Sequence, residues 1–151
     1  MSISSLMARS ANAAWLLPLC FAVTQAQANN SHDLTFEGDG TFLIPHQGNS
    51  IHVAIVDIHA NDVVTKQSGT ISGTEEPSFS FHFSDVFEEG KLYDVHYWID
   101  SNFGEGSEGS CDPIDIDHQW RLAFNNISDD ITEVVKLAPE EQAPVCATFQ
   151  Q

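Results

Sequence analysis

Ser78-Phe79-Ser80-Phe81-His82-Phe83-Ser84 places a phenylalanine at every second position and a small or polar residue between. Side chains of an extended chain point alternately to opposite faces, so this period of two predicts a strand buried on one face only. The same period runs through Ile51, Val53 and Ile55 against His52, Ala54 and Val56, where the second face is itself partly apolar. It recurs in Tyr93, Val95, Tyr97 and Ile99 against Leu92, Asp94, His96 and Trp98. Further strands are predicted at 34–37, 63–72, 120–125, 131–137 and 145–149. Turn signals such as Gly38-Asp39-Gly40, Gln47-Gly48-Asn49 and Glu89-Gly90 separate them. No segment keeps a helical period. Seven or eight short strands predict an all-β fold, an antiparallel two-sheet sandwich with alternating aromatic side chains between the sheets.

The first 28 residues read differently. A short leader with Arg9 precedes an apolar run at 11–23, and Ala26-Gln27-Ala28 supplies small residues at a cleavage site. That order is a secretory signal peptide, and its apolar run is too short to cross a bilayer. Cleavage after Ala28 leaves 29–151 as one domain, exported to the periplasm or the medium. It removes Cys20 and leaves Cys111 and Cys146, which in an oxidising compartment most simply form a disulfide. Asn29-Asn30-Ser31 and Asn126-Ile127-Ser128 match the N-glycosylation pattern, which matters only in a eukaryotic secretory route.

All 22 acids follow the leader and face only Lys66, Lys91, Arg121 and Lys136, a formal charge of 4 − 22 = −18. Nucleic acid and anionic membrane surfaces need a basic footprint and are excluded as partners. Salt, bound cations or a basic protein partner would offset such self-repulsion.

The acids concentrate in residues 100–117, D-S-N-F-G-E-G-S-E-G-S-C-D-P-I-D-I-D, between two predicted strands. A loop this long within a small domain binds something or is held by something. Asp100, Asn102, Glu105, Asp112, Asp115 and Asp117 offer oxygen ligands to calcium, the one cofactor the loop suggests, and Gly104, Gly106 and Gly109 permit sharp bends. The spacing is not that of an EF-hand, since its fifth position is Gly104 and its twelfth Cys111. A solvated acidic loop pinned by Cys111, with Arg121 anchoring a loop acid, is the alternative.

Histidines supply a second candidate. His52, His82 and His96 each fall on the polar face of a predicted strand, with His52 and His82 expected in one sheet. Neutral imidazoles so placed could bind copper or zinc, although no zinc spacing is present. No G-x-S-x-G, H-E-x-x-H or free cysteine nucleophile marks an enzyme, so the chain reads as a non-catalytic binding module. An acidic inhibitor or docking protein for a basic partner is the third reading.

Val95-His96-Tyr97-Trp98-Ile99-Asp100-Ser101-Asn102 and Asp117-His118-Gln119-Trp120-Arg121-Leu122 carry a resemblance. The chain resembles small exported bacterial β-sandwich proteins of an uncharacterised family, and is broadly similar to transthyretin-like or carboxypeptidase-regulatory-like domains. The resemblance implies an Ig-like or transthyretin-like sandwich and an exported location. It implies no activity.

Overall fold

The computed structural model describes residues 30–150. The leader, its cleavage site, Cys20 and Asn29 lie outside the described residues. Among the described residues, seven strands form two sheets: β1 (Ser31–Gly38), β2 (Ser50–Asp57), β3 (Asp62–Thr70), β4 (Phe79–Glu88), β5 (Tyr93–Ile99), β6 (His118–Phe124) and β7 (Ile131–Val135). One sheet has the order β4-β1-β7 and the other β3-β2-β5-β6. Two short helices, α1 (Leu43–His46) and α2 (Cys146–Phe149), complete the frame.

The alternation places the core as expected. Phe79, Phe81 and Phe83 of β4 are buried against Ile51, Val53 and Ile55 of β2 and Tyr93, Val95, Tyr97 and Ile99 of β5. Ser80, His82 and Ser84 face outward. Rings interlock across the sheets: Phe36 meets Tyr97 edge-on at 5.1 Å, and Tyr97 stacks on Trp120 at 5.1 Å. Such pairs add orientational preference to the transfer of apolar area from water.

Two expectations fail at the edges. The sandwich is not wholly antiparallel, because β7 runs parallel to β1 in the register Leu34↔Ile131 to Gly38↔Val135. The eighth strand, predicted at 145–149, is instead the single helical turn α2. Its anchor explains the difference. The disulfide from Cys146 to Cys111 ties this segment to the acidic loop, and Gln119 of β6 captures the chain leading into it. Gln119 Oε1 accepts Val145 N–H at 2.8 Å, Gln119 C=O accepts Ala143 N–H at 3.0 Å, and Gln119 N–H donates to Gln142 Oε1 at 3.0 Å.

The captured tail covers the outer face of the four-stranded sheet. Phe149 lies 6.1 Å from the Trp98 ring, and Thr148 Oγ1 is 2.7 Å from His96 Nδ1. Trp98, on the face that alternation assigns to solvent, is therefore buried, and Asp94 on the same face is buried beside His96 and Arg121.

Candidate functional site

Antiparallel pairing of β5 with β6 sets Ile99 opposite His118, so Asp100 and Asp117 flank the two ends of the acidic loop at one end of the sandwich. Both are buried, Asp117 completely. A buried carboxylate must be paired or hydrogen-bonded, and these two are satisfied by the loop's own backbone. Asp117 Oδ1 accepts the N–H groups of Ser101 at 3.0 Å and Asn102 at 3.1 Å, and its Oδ2 accepts Asp112 N–H at 2.9 Å. Asp100 Oδ2 accepts Gly109 N–H at 2.6 Å, and its Oδ1 accepts the Asn102 side-chain amide. Asp112 accepts Ser107 N–H. Asn102 has φ +49°, and Gly106 packs so closely on it that a Cβ would collide with the Asn102 side chain.

Of the six residues considered for calcium, Asp100, Asn102, Asp112 and Asp117 are thus gathered into one hydrogen-bonded frame, while Glu105 and Asp115 stand exposed on its outside. Among the described residues, no three His, Cys, Asp or Glu side chains converge as a metal centre requires. The frame is pinned by Cys111, as expected. Arg121 is not its anchor. It pairs with Asp94 at 3.4 Å on the outer sheet face, because alternation along β6 and β5 carries both side chains there.

The three strand histidines fall differently from expectation. His52 on β2 and His96 on β5 share the four-stranded sheet, and His82 on β4 belongs to the other. His52 stacks on Trp98 at 4.4 Å with planes 9° apart, and its Nδ1 is 2.8 Å from Ser68 Oγ. Burial lowers its pKa, while Asp100 and then Asp117 pull it up. Burial likewise lowers His96, with Asp94 opposing. His82 lies exposed, 3.4 Å from Asp33.

A different histidine pair borders the loop. His46, the last residue of α1, is fully buried, and its Nε2 shares a hydrogen bond of 3.0 Å with His118 Nδ1. Phe103 of the loop lies over both rings, 5.9 Å from His46 and 5.0 Å from His118. Burial and then the neighbouring His118 lower the His46 pKa to about 4, against a weaker upward pull from Asn49. His118 is lowered by burial and raised by Asp117. A charge on His118 resists protonation of His46. Nothing in the spacing of the chain links positions 46 and 118. Phe103, a lone aromatic residue among acids, was the available hint.

Fold and site together define a seven-stranded, two-sheet sandwich with a disulfide-pinned acidic loop at one end. No protein-family profile and no curated protein matches the chain. Two solved structures do. One is a fimbrial assembly protein from Parabacteroides distasonis, at 11% identity and a TM-score of 0.38 over 70% of this chain and 51% of its own. The other is a candidate polysaccharide-binding protein from Bacteroides thetaiotaomicron, at 12% identity and a TM-score of 0.36 over 70% of this chain and 46% of its own. The chain spans about half the length of each.

Proposed function

We propose that this protein is an exported, non-catalytic binding module that docks a cationic partner on its acidic-loop end. The arrangement of the loop is what supports this reading. Asp100, Asp112 and Asp117 are turned inward to hold backbone N–H groups, while Glu105, Glu108 and Asp115 stay outside as charge for a partner. Apolar contacts accompany them: Phe103 is 44% exposed, and Ile44, on the short helix that carries His46, is 93% exposed. An aromatic anchor among charges of one sign suits a partner of opposite charge, with the charges steering encounter and the ring supplying contact area. The loop is already ordered by its own hydrogen bonds, so less entropy is lost on docking. Export accords with the leader sequence and with a disulfide, which persists in oxidising compartments.

Binding of residues 29–151 to poly-L-lysine tests the reading. Affinity should fall steeply with added sodium chloride and survive EDTA. Replacing Glu105, Glu108 and Asp115 by their amides should weaken it more than the same change at Glu75, Glu76 and Glu140. Equal losses from the two sets would remove the site from the loop. Loss of binding in EDTA, restored by calcium, would replace this reading with a calcium site.

A further inference from the structure

On one flank of the sandwich Gln67 of β3 bridges to β4, its side-chain amide donating to His82 C=O at 2.8 Å. On the other flank the edge strands β6 and β7 belong to different sheets and are not paired with each other. A cavity of about 330 Å³ opens between them, and no residue of the acidic loop lines it. Tyr97 of β5 reaches this cavity from the core, where its ring packs on Trp120 and Phe36 and is only 4% exposed. Its hydroxyl has no hydrogen-bond partner among the described residues, and it is not among the polar atoms sealed from solvent. Buried phenols ordinarily find a partner. The chain's other tyrosine does so, with Tyr93 Oη accepting Glu88 N–H at 3.1 Å. Glu133 of β7 and Glu141 line the same cavity, and their carboxylates make no ion pair or hydrogen bond among the described residues. Burial, and then Glu141 and Glu133, raise the Tyr97 pKa, so the phenol stays neutral in a negative field that favours a cation. The other charges of the lining are engaged or opposed. Asp39 accepts Thr41 N–H at 2.9 Å, Arg121 pairs with Asp94, and Lys136 would repel a cation.

We propose that this cavity binds a small primary amine with an apolar body, its ammonium donating to Tyr97 Oη, Glu133 and Glu141 and its body against Leu122 and Val135. An ammonium has three donors and no acceptor, which matches a phenol oxygen and two unengaged carboxylates. Hydrogen bonds between charged groups are about twice as strong as those between neutral ones. An alcohol of the same shape lacks the charge, and a quaternary ammonium lacks the donors.

Carbon-13 NMR of residues 29–151 labelled at the tyrosine ring carbon that bears the hydroxyl provides the test, with butylamine and benzylamine as probes at pH 7. Benzyl alcohol and benzyltrimethylammonium serve as counterparts. The Tyr97 signal should move saturably with at least one amine, and the Tyr93 signal should stay, since its hydroxyl is already bonded. Both counterparts should bind at least about tenfold more weakly. Glu133→Gln combined with Glu141→Gln should weaken amine binding tenfold or more, and Lys136→Met should tighten it. Amide replacements at Glu105, Glu108 and Asp115 should leave it unchanged, which separates this cavity from the docking end. An unchanged Tyr93 signal in each variant certifies its fold. No saturable Tyr97 shift with either amine at tens of millimolar would overturn the proposal. So would equal binding of benzyl alcohol, or undiminished binding in the Glu133 and Glu141 double variant.

Discussion

Acidification should destabilise the fold through His46 well before the carboxylates titrate. Its folded-state pKa is about 4 against an ordinary value of 6.5, so between these limits the unfolded chain binds a proton that the folded chain refuses. Stability therefore falls as pH drops through this window and stops responding to this group below about pH 4. A difference of roughly 2.5 pH units corresponds to about 3 kcal/mol in all, of which about 2 kcal/mol is gone by pH 5. His46 is fully buried, so solvent does little to screen its charged form. Urea unfolding followed by tryptophan fluorescence at several pH values from 7 to 4 measures it. The wild-type midpoint should fall by on the order of 2 M across the window. His46→Gln is neutral throughout, and its amide can still bond His118, so it should lose about 3 kcal/mol of that dependence. A shallower slope should persist in the variant, because burial also lowers the pKa of His52, His96 and His118. Wild-type and variant stabilities that run parallel between pH 6.5 and 4 would refute the reasoning.

Other outcomes follow from the same structure. Replacing Cys111 and Cys146 by alanine frees a loop with a sequence separation of 35 residues. On the chain-entropy relation this costs about 4 kcal/mol, visible as a lower melting temperature, and reducing agent should have no further effect on the variant. Asp117→Ala leaves three backbone N–H groups without an acceptor and should cost about 3 kcal/mol or more in urea unfolding. Asp115→Asn, at an exposed position of the same loop, should stay within about 0.5 kcal/mol of wild type. Gln119→Ala removes the side chain that receives the C-terminal segment, so hydrogen exchange should quicken at Val145 N–H while the β2–β5 ladder stays protected.

Local chemistry carried the fold class because a period of two, repeated in Phe79–Phe83, Ile51–Ile55 and Tyr93–Ile99, leaves an extended chain one apolar face to bury. The disulfide was legible for a similar reason, with two cysteines left beyond the expected leader. Which strands share a sheet was not legible. Alternation says which way His52, His82 and His96 point along their own strands, but sheet order depends on long-range pairing, and it separated His82 from the other two. Trp98 reads as solvent-facing because no local pattern discloses that a tail some fifty residues later covers it.

The acidic loop divides along the same line. Its length, charge and cysteine mark it in the sequence as a segment that is held or that binds. Only the tertiary structure decided which acids do the holding. Strand register brings Asp100 and Asp117 to the ends of one hairpin, burial compels their oxygens to find donors, and the nearest donors are the loop's own backbone N–H groups. The pairing of His46 with His118 came from packing alone, since contact between residues 72 apart is a property of the folded chain and not of any local pattern.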